Sequence, residues 1–187
     1  MKAVSMDKRA EILKAAQKRY RTVGLQFTMQ DLSTDLHMAK KTIYKTFPTK
    51  EDLLIAMLDD SFRHIQRAKR KILQTDRPCA ERIGDALIAM PKTYTFLNHA
   101  HIDGLWERYP RVREHLVYHL EKDWEPIFDA LREGMKEGSI RSIHLSVFKQ
   151  VVTGAIEEFM KHPETALSYT EELLEMRDIL MRGIIRR

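Results

Sequence analysis

The chain has 187 residues, with 32 Lys/Arg against 27 Asp/Glu, 7 Gly, 6 Pro and a single cysteine, Cys79. That length can bury a sizeable core, and the scarcity of Gly and Pro, with Leu, Ala, Met, Glu, Lys and Arg recurring at helical spacing, predicts an all-α protein. No run approaches the ~18 apolar residues that cross a bilayer, the opening MKAVSMDKRAEILKAA lacks the apolar core of a secretory signal, and a lone Cys79 makes no internal disulfide, so the expected compartment is the cytoplasm.

Charge is unevenly distributed. Residues 1–50 hold 11 Lys/Arg and 4 Asp/Glu, a balance of +7, whereas residues 51–187 hold 21 and 23, a balance of −2. A positive field concentrated on one segment suits a polyanion partner.

The first predicted helix runs from about Asp7 to Val23, with Ile12, Leu13, Ala16, Tyr20 and Val23 on one stripe and Gly24 at its C-cap. Residues Thr28 to Lys50, TMQDLSTDLHMAKKTIYKTFPTK, then read as two short helices around a tight turn. Thr28 and Asp31 have capping-box spacing, and Leu32 and Leu36 share a face. After a turn at His37-Met38, a second helix carries Ile43 and Phe47 on one face and Lys40, Lys41, Thr42, Tyr44 and Lys45 on the others. Pro48 stops it, and Thr49-Lys50-Glu51-Asp52 repeats the cap. This is helix-turn-helix geometry, whose second helix enters the DNA major groove. Lys40, Lys45 and Lys50 are candidate phosphate contacts, and Lys41, Thr42 and Tyr44 are placed to reach base edges or the sugar-phosphate edge.

The fourth helix, from Leu53 to about Leu73, has Leu53, Leu54, Met57, Leu58, Phe62 and Ile65 on one side and ends in the basic run RHIQRAKRK, read as a solvated face. Thr75-Asp76-Arg77-Pro78 breaks the chain. A fifth helix is expected from Cys79 to Leu97, kinked at Pro91, and a short one from Asp103 to Tyr109. A long helix from Pro110 to about Lys136, interrupted at Pro126, ends at Gly138. Two more are expected, about His144 to Lys161 and Glu164 to Arg187, making about nine in all. The expected organisation is a headpiece over 1–50, a connecting helix over 51–73 and a larger C-terminal domain over 74–187.

The run HMAKKTIYKTFPTKEDLL, preceded by FTMQDL, resembles the DNA-binding segment of TetR-type transcriptional regulators. It follows their Ser-Lys-x-Thr-(Leu or Ile)-Tyr-x-x-Phe-x-(Ser or Thr)-Lys-Glu core at nearly every position, and ILKAAQKRY fits their first helix. The match covers about fifty residues. It departs at His37, where the family usually has Gly, and at Ala39, where it usually has Ser. The resemblance implies a ligand-responsive repressor that binds a palindromic operator as a homodimer, with Thr28 and Tyr44 among its DNA contacts. It also implies a C-terminal effector pocket for an apolar or amphipathic small molecule.

Candidate pocket residues are Met90, Tyr94, Trp106, Tyr109, Tyr118, Trp124 and Phe128, each of which alone would also suit an ordinary core. The last two helices, apolar on more than one side, are the candidate dimer interface, through Val151, Val152, Ala155, Phe159, Leu173, Leu180 and Ile184. His115 and His119 are spaced i, i+4, but without an H-E-x-x-H pattern or a cysteine partner no metal site is expected. No cofactor, nucleophile context or glycine-rich phosphate loop is found, so no enzyme is expected. A small-molecule carrier on the same fold and, further off, a metal-dependent all-α enzyme are the alternatives.

Overall fold

The computed structural model describes residues 2–89, 105–161 and 167–186. Among them the chain forms ten α-helices: α1 (Lys2–Val23), α2 (Met29–Asp35), α3 (Lys40–Thr46), α4 (Lys50–Leu73), α5 (Cys79–Leu87), α6 (Leu105–Arg108), α7 (Pro110–Glu121), α8 (Glu125–Glu137), α9 (Leu145–Lys161) and α10 (Tyr169–Ile184). Extended pairing among these residues is limited to one antiparallel bridge, Ile140 with Ile185. The all-α class holds.

Two compact units emerge, the first comprising Met1–Phe62 with Tyr94–Val117 and the second Arg63–Thr93 with Tyr118–Arg187. The first therefore extends beyond the headpiece expected over 1–50, taking in the first half of α4, α6 and most of α7.

In the first unit, Ile12, Ala16 and Tyr20 of α1, Leu32 of α2, Ile43 of α3, Phe47 and the α4 residues Leu53, Leu54, Met57 and Leu58 are all buried. Burying a side chain of this kind is worth roughly 1.5–3 kcal/mol relative to exposure. α2 and α3 have seven residues each. Helices that short are marginal alone in water, so this shared core is what makes them helical. Val23, expected on the inner stripe of α1, is exposed.

Both expected caps form. The Thr28 amide donates to Asp31 Oδ2 at 2.7 Å and the Asp31 amide to Thr28 Oγ1 at 3.2 Å. Thr49 and Asp52 repeat the exchange at 3.2 and 3.0 Å. Between α2 and α3, His37 takes φ 49°, the left-handed conformation usually given to Gly. Two bonds to Met38 hold this turn: the Ser33 hydroxyl donates to the Met38 carbonyl at 2.6 Å, and the Met38 amide donates to the Ser33 carbonyl at 3.0 Å.

In the second unit α5 packs on α8 and α10, and α10 on α9. Gly134 of α8 permits the closest approach: a Cβ there would stand 2.5 Å from Ile140 Cγ1 and 3.0 Å from Cys79 Sγ. The buried Cys79 thiol donates to the Ala130 carbonyl at 3.0 Å. Gly138, at φ 80°, ends α8 as expected.

Three expected elements differ. α5 stops at Leu87, with Ile88 at its C-cap and Ala89 outside the helix, and residues 90–97 of the expected helix, with Pro91, lie outside the described residues. The long helix from Pro110 is two helices, because Asp123 enters the left-handed region at φ 62° and breaks the chain before Pro126. Pro126 sits in the first turn of α8, where its missing N–H removes no helical bond, so it kinks nothing. α10 begins at Tyr169 rather than near Glu164, because Ser168 and Glu171 form a capping box there.

The cap of α3 is testable. Ala39 occupies the N-cap of α3 without a side-chain hydrogen bond. Ala39→Ser supplies that acceptor and is expected to raise stability by about 1 kcal/mol, read as a higher urea midpoint at unchanged m-value.

Candidate nucleic-acid interface

Burial of Ile43 and Phe47 fixes which way α3 faces. At about 100° per residue, Lys41, Tyr44 and Lys45 fall within one sector of about 100° away from those two anchors, and Lys40 lies at its margin on the Phe47 side. All four are exposed, Tyr44 at 47%. Thr42 lies at the edge of the sector, half-buried, and its carbonyl accepts from the Thr46 hydroxyl at 3.0 Å. Three ammonium groups, a phenol and a hydroxyl thus project from two helical turns, a set able to meet phosphates and base edges. Thr28 is exposed at the start of α2, and its amide and hydroxyl hold the Asp31 carboxyl below the usual carboxylate range.

Lys50 departs from its expected role. Its ammonium points inward, donating to the Leu25 and Phe27 carbonyls at 2.5 Å each and lying 4.4 Å from the Phe27 ring centroid and 6.0 Å from that of Tyr109. Burial, helped by the nearby Arg108 guanidinium, pushes it down to about 8. It therefore ties the start of α4 to the backbone leading into α2. Two of its three N–H groups are thus already used on backbone carbonyls.

Two further fastenings lay outside the sequence expectations. Arg19 pairs with Asp35 through two hydrogen bonds of 2.6 Å, joining α1 to α2. At the start of α7, the Arg111 amide donates to Glu51 Oε1 at 3.0 Å and its guanidinium to Asp52 Oδ1 at 3.1 Å, so α7 grips the first turn of α4. One turn later His115 Nδ1 lies 3.4 Å from Asp59 Oδ1. Acids spaced along α4 and basic groups at i, i+4 on α7 are the sequence signal for this seam, visible only once the two helices are known to be neighbours. An open groove of about 620 Å³ between α1 and α2 is lined by Lys14, Lys18, Arg21 and the Arg19–Asp35 pair.

The described residues of the expected pocket fall in both units. Met90, Tyr94 and the side chain of Trp106 lie outside the described residues. Tyr109 is buried in the first unit with Arg108 at 5.7 Å from its ring centroid, whereas Tyr118 is 53% exposed and accepts a hydrogen bond from Lys122 at 2.6 Å. In the second unit Trp124 is buried, its indole N–H donating to the Leu120 carbonyl at 2.8 Å and its ring 5.8 Å from that of Phe128.

The residues expected at the dimer interface divide in the same way. Val152, Leu173 and Ile184 are buried in the chain's own second unit, and Ala155, Phe159 and Leu180 are half-buried. The exposed apolar residues of α9 and α10 are Val147 (55%), Val151 (49%), Leu174 and Ile179 (63%). Gly154 and Gly183 lie exposed on the same two helices, with open space where a Cβ would stand.

For Lys50 the inward tie and a phosphate contact give different salt responses. Removing one phosphate contact from each half-site of a dimer flattens log K against log salt by about 1.8. Lys50→Met is expected to leave that slope unchanged while lowering stability by about 1–3 kcal/mol, measured by fluorescence anisotropy on duplex DNA and by urea unfolding.

Residues 12–57 match the family model described as bacterial regulatory proteins, tetR family. Over 184 residues, 96% of this chain and 95% of the relative, the sequence is 27% identical to YvaF of Bacillus subtilis (strain 168), an uncharacterised HTH-type transcriptional regulator. The fold is similar to that of a TetR transcription regulator from Haloarcula marismortui, at TM-score 0.73 and 17% identity over 97% of this chain and 100% of that one. It is also similar to RolR in complex with resorcinol, at TM-score 0.64 and 16% identity over 100% of this chain and 92% of that one. Residues 12–57 thus carry the helix-turn-helix described by the tetR family model, and over its length the chain is similar to an HTH-type transcriptional regulator and shares the fold of a TetR transcription regulator.

Proposed function

We propose that the chain works as a homodimeric, ligand-responsive repressor on a palindromic operator in the cytoplasm. Lys40 and Lys45 contact phosphates, while Lys41, Thr42 and Tyr44 reach base or sugar-phosphate edges, with Thr28 at the edge of the contact. The observation that carries this is the outward face of α3, where cations and the Tyr44 phenol stand exposed opposite the buried Ile43. Lys50 acts as a positioning residue beneath that face, through its two carbonyl bonds.

One recognition helix reads only a few base pairs, so a two-fold dimer reading two half-sites about one helical turn (~34 Å) or more apart follows from the task. Exposed Val147, Val151, Leu174 and Ile179 supply an apolar face for it. The mid-helix Gly154 supports the same assignment. A glycine inside a helix costs about 1 kcal/mol relative to Ala, and here no neighbour among the described residues requires it. A second copy approaching closely would. RolR binds resorcinol, and by analogy a small molecule, apolar or amphipathic, is the effector. It acts by favouring a setting of α4 in which the two headpieces no longer match the half-sites, and shifts the population only as far as its preference for that setting allows.

Selecting bound fragments from the source genome tests the function: enrichment of an inverted repeat supports it, and random recovery counts against it. For the dimer, Ile179→Glu places two buried charges at the two-fold contact. It is expected to convert the sedimenting species from two chains to one and to weaken operator binding by at least tenfold, with helical content by circular dichroism unchanged. A variant that stays dimeric would remove this face from the interface.

A further inference from the structure

Two histidines of α7 and one aspartate of α4 stand together in a way the sequence does not announce. His115 and His119 are four residues apart in one uninterrupted helix, so they lie about 40° apart around it and about one turn apart along it. That spacing lets two imidazoles meet one ion. Two ligands are fewer than the three that a zinc site ordinarily draws from its protein, and from the sequence no metal site is expected. α4 supplies the third group. His115 Nδ1 lies 3.4 Å from Asp59 Oδ1, and one ligand atom from each of Asp59, His115 and His119 falls within 4.8 Å of the other two.

The Asp59–His115 pair alone would be an ordinary surface contact. Its side chains are 37% and 41% exposed, and pairs so placed contribute little to stability. His119 changes that reading by bringing a second imidazole to the same spot, and its Nδ1 atom is buried, so the ring is held against the protein. Zinc bonds of about 2.0–2.2 Å in a tetrahedron put neighbouring ligand atoms about 3.3–3.6 Å apart. The Asp59–His115 separation already has that value. The other separations reach it through side-chain movements of at most about 1.5 Å. All three side chains are half-buried, which leaves a path for an ion and room for water beside it.

We propose that Asp59, His115 and His119 form a binding site for a divalent ion of the zinc class, with water in the fourth position. Two imidazole nitrogens and a carboxylate oxygen suit zinc, nickel and cobalt, whereas magnesium and calcium take oxygen ligands. The ion clamps α4 to α7 along the seam that Arg111 closes on Glu51 and Asp52. Arg111 lies one turn before His115, so the two helices are already aligned where the ion binds. Two of its three ligands come from one helix, and the site is therefore largely preset. It stands apart from the DNA-reading face of α3 and does not depend on the operator or on an organic effector.

The test uses the full-length protein, stripped with a chelator and exchanged into a buffer that does not bind metals. Calorimetry with zinc chloride is expected to show one ion per chain, and zinc is expected to raise the Tm, since an ion that binds only the folded chain stabilises it. Magnesium chloride is expected to do neither. Asp59→Asn, His115→Gln and His119→Gln are each expected to weaken zinc binding by about tenfold or more, with helical content by circular dichroism unchanged. His144→Gln, at an exposed histidine outside the cluster, is expected to bind as wild type does. Cobalt(II) reports on the ligands directly: the visible absorption of a four-coordinate ion is expected in wild type and lost in His119→Gln. Should one of the three ligand variants lose helical content, the other two and the cobalt spectrum decide. The proposal is overturned if zinc does not bind wild type, or if magnesium binds as well as zinc. It is equally overturned if Asp59→Asn and His119→Gln hold zinc as tightly as wild type, or if His144→Gln weakens binding as much as they do, because the ion then sits on other residues.

Discussion

The outward cationic face of α3 depends on two buried side chains, Ile43 and Phe47. α3 has seven residues and no capping side chain, too little local order to hold a helix in water. Ile43 and Phe47 anchor it in a core shared with Tyr20, Leu32 and the first turns of α4. The direction of Lys40, Lys41, Tyr44 and Lys45 follows from that anchoring, because a helix with one face fixed has no freedom in the other. Arg9, lying 4.6 Å from the Phe47 ring centroid, covers the anchor from the α1 side.

The same economy governs the joint between α4 and its neighbours. A lysine at the first position of α4 would ordinarily face solvent. Here its ammonium closes the gap between the 3-10 turn after α1 and the start of α4, satisfying the Leu25 and Phe27 carbonyls that the turn leaves open. Beside it, Arg111 uses its amide and its guanidinium on Glu51 and Asp52. The acids in the first turn of α4 therefore serve two ends at once: they suit the positive end of the helix dipole and they receive α7.

The local signals in the sequence translate well into structure. Both T-x-x-D caps, the left-handed turn at His37, the uncapped Ala39, the Gly138 stop and the order of the helices are legible because each depends on a few adjacent residues. Misplaced features share a different cause. Lys50 reads as a phosphate ligand because nothing within four residues of it reveals the carbonyls of Leu25 and Phe27. Val152, Leu173 and Ile184 read as interface because α9 and α10 are apolar on several sides, and sequence alone does not say which side the chain keeps for itself. Pro126 is the conspicuous breaker in its stretch, yet the positive φ of Asp123 is what separates α7 from α8.

The central claim is that two copies of one cationic helix, each held outward by its buried anchors, grip a single duplex. Sedimentation of the protein with a duplex recovered from its own genome, repeated across a range of salt, measures both parts together. Two chains per duplex, with an affinity that falls steeply as salt rises, is the predicted result. One chain per duplex, or binding indifferent to salt, would contradict it.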